Sequence, residues 1–215
     1  MTRMSELSLR YVALGDSSGV GIGARQGGYV EHLFQRLRRT RTGVGLLNLS
    51  VSGATSGTVI SGQLPRALKS RPDVVTLGIG INDLWRGVTP EQFESNIDHL
   101  ARSLVSTGAP VVLANLPDMS LAPVASMVTH FLPIQLITQR IAAYNAAVAR
   151  VVARHGLLPV DLHTPSRVEL PRSPDYFCSD GFHPSDTGYQ RMAEHFWPAL
   201  LQASERAARP VQATG

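Results

Sequence analysis

Five short apolar runs, separated by stretches of helical periodicity, constrain this 215-residue chain more than anything else in it. They cover residues 11–14, 44–49, 74–77, 111–114 and 157–161. Between them, apolar side chains recur every three or four positions, the spacing of one helical face. Val30, Leu33, Phe34 and Leu37 mark a first helix over 28–40, and a second follows over 58–69. Phe93, Ile97, Leu100 and Leu104 form the stripe of a third. Ile137, Ile141, Tyr144, Val148 and Val151 face inward on a long helix over 134–155, and Tyr189, Met192, Phe196 and Leu200 do so on the last. Strands alternating with helices predict a parallel sheet covered on both faces. The run at 74–77 is almost wholly apolar, as a central strand requires.

The punctuation agrees with these elements. Arg71-Pro72-Asp73 breaks the second helix. Thr89-Pro90-Glu91 supplies an N-cap, a proline at the first helical position and an acid in the first turn. Two stretches are less regular. Residues 116–133 are apolar, carry Pro117, Pro123 and Pro133, and are too long for a simple strand-to-helix turn. Residues 163–174 read as a proline-rich loop.

The size suits one domain, 1–215, with loose tails at 1–8 and 210–215. No apolar run reaches the length of a membrane span. Residues 1–9 hold no apolar signal core, so the expectation is a cytoplasmic protein without membrane anchoring. The net charge is +4, but its one cluster, Arg36, Arg38, Arg39 and Arg41, falls at a helix end. Cations complement the helix dipole there, which argues against nucleic acid as partner. Cys178 is the only cysteine, so no internal disulfide forms, and it reads as a bystander. Oligomeric state is not legible.

Chemistry-bearing residues stand where the strands end. The first run stops at Gly15-Asp16-Ser17, followed by Gly19, Gly21 and Gly23. Ser17 is either a nucleophile at the sheet's carboxyl edge, where open α/β folds bind ligands, or the cap of the next helix. Gly15 to Gly19 also fits the G-x-S-x-G pattern of the α/β-hydrolase elbow, but that serine follows several strands and here only one precedes it. The second run leads to Gly53, the third to Asn82, and the loop after the fifth to Asp180 and His183. A parallel sheet puts these exits on one edge.

The residue types fit acyl transfer. A serine needs a base, and His183 serves; a base needs an orienting carboxylate, and Asp180 stands three residues before it. The amides of Ser17 and Gly53 and the Asn82 side chain are candidate donors to an oxyanion. Plainer roles compete: Asp16 orders its turn, Asp83 caps the loop or helix beyond it, Gly53 is a turn glycine and Asn82 ties down its loop. His32, His99, His130, His155 and His195 read as surface or boundary residues. His163 is a weaker rival base, and a metal set of Asp161, His163 and His183 lacks a recognisable ligand spacing.

With these residues in place, the chain resembles the SGNH hydrolases, also called GDSL-type esterases and lipases. Four blocks carry the resemblance in order: Gly15-Asp16-Ser17, residues 48–56 around Gly53, Gly80-Ile81-Asn82-Asp83, and Asp180-Gly181-Phe182-His183-Pro184. The match spans residues 10 to 190. It implies a three-layer α/β/α, flavodoxin-like fold with a five-stranded parallel sheet. It further implies Ser17 as nucleophile, Asp180 and His183 completing a triad, Ser17, Gly53 and Asn82 as oxyanion donors, and neither cofactor nor metal. One departure is Ser18, where many members carry leucine or another apolar residue.

The expected activity is a serine esterase acting on a small-molecule ester of short to medium acyl chain through an acyl-enzyme on Ser17. Met119, Leu121, Met127 and Phe131, in the irregular segment, are the candidate substrate-binding residues; packing as core on the long helix is the alternative. An acyltransferase, thioesterase or lysophospholipase would use the same triad. A non-catalytic carbohydrate- or lipid-binding protein would explain a cleft, though not an intact serine, histidine and acid.

Overall fold

The computed structural model describes residues 9–128 and 133–207. Strand β1 (Leu9–Gly15) is followed by a single helical turn, α1 (Ser17–Val20), and by α2 (Tyr29–Thr40). After β2 (Val44–Asn48), α3 (Ser56–Thr58), one π-helical turn at Val59–Gln63 and α4 (Leu64–Ser70) run on from one another over the expected second helix. Next come β3 (Val74–Gly78), α5 (Ile81–Trp85), α6 (Pro90–Val105) and β4 (Val111–Ala114). The chain continues with α7 (Pro123–Val128), α8 (Ile134–His155), β5 (Leu158–Val160), α9 (His163–Glu169) and α10 (Asp186–Ala207).

All five strands pair in parallel, in the order β2-β1-β3-β4-β5. Alternate residues of β1 and β3 serve different cores. Val12, Leu14, Val75 and Leu77 pack with α6 and α8 on one face, where Phe93 stacks on Tyr144 at 4.3 Å. Leu9, Tyr11, Ala13 and Val74 pack with α2 and α10 on the other, where Tyr29 stacks on Phe196 at 4.4 Å. Strands buried on both faces account for the continuous apolar runs. The one polar side chain inside β3, Thr76, is satisfied by the Tyr11 hydroxyl at 2.9 Å. Pro159 lies in the edge strand β5, where a missing amide costs least.

The strand order makes the site. From β1 the chain crosses to one face of the sheet, and from β3 it crosses to the other. The loops after these neighbouring strands therefore diverge and open a crevice at their carboxyl ends.

Two expectations change here. Residues 163–174 are not a plain loop, because Pro165 lies in the first turn of α9 and Pro171 in the 3-10 turn at Leu170–Arg172. Proline is tolerated in a first turn because its absent N–H has no partner to lose. Likewise, Pro123 opens α7 within the irregular segment. Helix α5, only five residues long, was too short to leave a periodic signal.

Candidate active site

Asp16, not Ser17, caps α1. Its Oδ1 accepts from the Ser18 amide at 2.9 Å and from the Ser18 hydroxyl at 2.8 Å, so it orders the turn as expected. Burial pushes the Asp16 pKa up, while these two hydrogen bonds work against it. Ser18, the departure from the family pattern, is thus the partner of a buried carboxylate. Gln63, brought round by the π-helical turn, accepts from Gly15 N at 2.9 Å and donates to Gly15 O at 2.8 Å. The end of β1 is held from both sides, and Ser17 is freed to face the crevice.

The segment after α9 returns to Ser17. Asp180 Oδ1 accepts from the amides of Phe182 and His183, both at 2.8 Å, while Oδ2 lies 2.6 Å from His183 Nδ1. A carboxylate there fixes the proton on Nδ1 and leaves Nε2 as acceptor. Nε2 is 3.1 Å from the Ser17 hydroxyl. Partial burial works to raise the Asp180 pKa, but the His183 ring and the two amides hold it well below the ordinary carboxylate range. The turn is pinned by Cys178 N donating to His183 O at 2.8 Å and by Val124 N donating to Gly181 O at 3.0 Å. Gly23 comes so close that a Cβ there would lie 2.7 Å from Cys178 Sγ and 3.2 Å from His183 Cβ. Cys178, expected to be a bystander, donates its thiol to Asp180 Oδ1 at 3.1 Å.

Gly53 has φ 76°, a left-handed conformation that explains glycine at that place, and it lines a neighbouring hollow with Ser52, Ala54 and Arg86 rather than the cleft that holds Ser17. Asn82 stands in the first turn of α5, and its side-chain amide donates to Ala54 O at 3.0 Å. A carboxamide has a second N–H, which remains for a ligand. Asp83 does not cap its own helix. Wholly buried, it reaches across to Ser56, accepting from the amide at 2.9 Å and from the hydroxyl, while Asn96 Nδ2 donates to the same hydroxyl at 2.9 Å. Burial raises the Asp83 pKa, and the Ser56 bonds work against it. The loops that follow β2 and β3 are therefore clamped to each other, Gly53 on one and Asn82 on the other.

Ser17, Asn82 and His183 open onto one cleft with largely apolar walls. Met119 is in its wall, whereas Leu121 is 40% exposed and is not. The side chain of Met127 and all of Phe131 lie outside the described residues. The walls come instead mainly from the segment after β5, including Leu162, Leu170 and Phe177, and from Met192 of α10. His195, read as a boundary residue, lines the cleft too. The signal that could have found it is its place in the last helix, three residues past the inward-facing Met192. Asp161 and His163 do not join His183: Asp161 Oδ1 accepts from Asn115 and from the amides of His163 and Thr164.

A doubly covered parallel sheet with a serine, an imidazole and a carboxylate at its switch point defines a class, the α/β/α hydrolases acting on acyl groups. The model of the GDSL-like lipase/acylhydrolase family matches residues 13–191, and the chain belongs to that family, within the SGNH hydrolases, as a carboxylic ester hydrolase. Esterase TesA of Pseudomonas aeruginosa is 27% identical over 193 residues, covering 88% of this chain and 86% of that protein. A crystal structure of TesA superposes with a TM-score of 0.72 at 26% identity, over 90% of this chain and 99% of that one. An acetyl xylan esterase from Geobacillus stearothermophilus shares the fold, with a TM-score of 0.73 at 20% identity over 91% and 95% of the two chains.

Proposed function

We propose that the chain hydrolyses esters of short to medium acyl chain through an acyl-enzyme on Ser17. The observation that carries this reading is the relay from Asp180 to His183 Nδ1 and from Nε2 to the Ser17 hydroxyl, at 2.6 and 3.1 Å, opening onto an apolar cleft. His183 Nε2 takes the Ser17 proton as the oxygen attacks the ester carbonyl. The negative charge that develops on the carbonyl oxygen is met by the amides of Ser17 and Gly53 and by the free N–H of Asn82. The imidazolium, steadied by Asp180, returns the proton to the departing alcohol. Water then enters, gives a proton to the same nitrogen and attacks the acyl carbonyl; as the intermediate collapses that proton passes to the departing Ser17 oxygen, and the acid leaves. Met119, with Leu170 and Met192, lines the path of the substrate. Among the described residues no helix is long and apolar enough to cross a membrane.

A panel of p-nitrophenyl esters from acetyl to octanoyl, run on the parent and on Ser17→Ala, tests the reading. The parent should turn over the shorter esters and the variant none. Undiminished hydrolysis by the variant would remove Ser17 from the mechanism.

A further inference from the structure

The cleft wall carries a polar pair that this mechanism leaves unused. Beyond Ser17 and His183 its walls include Pro117, Met119, Leu162, Leu170, Phe177 and Met192. Set among them are Glu169, the last residue of α9, and His195 of α10. His195 Nε2 lies 3.0 Å from Glu169 Oε1, and their side chains keep 27% and 24% exposure. Among the described residues, Glu169 Oε2 and His195 Nδ1 have no hydrogen-bonding partner within the chain. Tyr176, also in the wall, has no partner for its hydroxyl either, among the described residues. Burial and the Glu169 carboxylate push its pKa up to about 12, with Arg191 acting in the opposite sense, so the group stays a hydroxyl.

A plain alkyl chain laid against these groups strips their water and gives nothing in return. A substrate hydroxyl replaces the lost hydrogen bond, and one made to a charged group is among the stronger kind. We propose that Glu169 and His195 form a polar stop that selects esters whose cleft-bound half carries a hydroxyl over plain alkyl esters of equal length. This rests on the Ser17-dependent hydrolysis proposed above and names a substrate class for it.

The test compares kcat/KM in matched pairs on each side of the ester. In the acyl series, p-nitrophenyl butanoate is set against the 3-hydroxybutanoate, and the hexanoate against the 6-hydroxyhexanoate. In the alcohol series, hexyl acetate is set against 6-hydroxyhexyl acetate. In at least one series the hydroxylated ester should be favoured about tenfold, the ratio one hydrogen bond to a charged group supports. The double variant E169L/H195L should bring that ratio to about one and speed hydrolysis of the plain hexyl or hexanoyl ester. Should that variant fail to fold, Glu169→Gln, of equal shape, should still lower the ratio about threefold. A parent ratio near one in both series, or a ratio that survives the substitutions in a folded variant, overturns the proposal. The two readings fail separately: Ser17→Ala with full activity sinks the mechanism, whereas a parent that needs Ser17 but ignores the hydroxyl sinks only the polar stop.

Discussion

The two sides of the candidate site are held in opposite ways. On the nucleophile side, the order comes from carboxylates inside the protein. Asp16 is 4% exposed and Asp83 0%; Asp16 accepts from the amide and hydroxyl of Ser18 in its own buried turn, and Asp83 from the amide and hydroxyl of Ser56 on the neighbouring loop. On the acid–base side, the Asp180 side chain is 46% exposed, and it draws its order from the backbone of its own turn. The first arrangement ties half-exposed donor loops to buried carboxylates, where an unmade hydrogen bond is costly. The second leaves the imidazole on a turn anchored by a few amides at the rim. Donors that must meet a developing charge gain from rigidity; a base that passes a proton between substrate, water and serine must stay reachable.

Substitutions can break this comparison. The largest effect belongs to the shared relay. Ser17→Ala and His183→Ala should each lower kcat by about 10⁵-fold or more, and the double variant should be little worse than either, because the pair acts as a unit. Independent, multiplying losses in single-turnover kinetics would dissolve the relay. Next, Asn82→Ala should cost kcat about a hundred- to a thousand-fold with little change in KM. A loss below threefold would reduce Asn82 to a tie for its loop.

Asp83 touches no substrate, so its effect should be smaller and of another kind. Asp83→Asn places an N–H against the Ser56 donors and should cost about 1–3 kcal/mol, or a fall in Tm of about 3–10 °C. If the clamp positions Asn82 and Gly53, kcat should fall about tenfold while KM holds. A lower Tm with unchanged kcat would make Asp83 merely structural.

The two carboxylates should also respond to pH with opposite sign. Asp180 has a folded pKa below its unfolded one. Its contribution to stability is present above the unfolded value of about 3.9 and is lost as pH falls toward the folded value. Asp83 has a raised folded pKa, so its tighter hold on a proton contributes stability that is present at acid pH and lost as pH rises through the folded value. In urea unfolding, the deficit of Asp180→Asn should therefore grow from pH 3 to 6, and that of Asp83→Asn should shrink. Parallel trends would contradict the division between a buried and a rim carboxylate. The smallest effect should be that of Cys178→Ala. Its thiol adds one weak hydrogen bond to a carboxylate already held by two amides and a ring, and kcat should change less than threefold.

The sheet was legible because its central strands β1, β3 and β4 are buried on both faces and its helices on one, which leaves two different periods in the sequence. The exits of β1, β2 and β3 were legible for the same reason, as places where apolar runs end in glycine and short polar residues. What escaped were features built from contacts between distant loops. Nothing near Asp83 announces Ser56, since their meeting depends on β2 and β3 flanking β1. Glu169 and His195 are separated by 26 positions, and their meeting depends on α9, which Pro165 and the prolines that follow it disguised as a loop. The expectation that residues 116–133 line the cleft kept Met119, while the segment after β5, read as connection, supplied much of the wall.

The central claim is that Ser17, poised by His183 and Asp180, is the group that takes the acyl chain. Its most direct measurement is peptide mapping by mass spectrometry after treatment with a fluorophosphonate probe. A single adduct is expected on Ser17, absent from the neighbouring Ser18 and lost in His183→Ala. Full esterase activity in protein that carries no adduct, or an adduct at another serine that tracks with loss of activity, would contradict it.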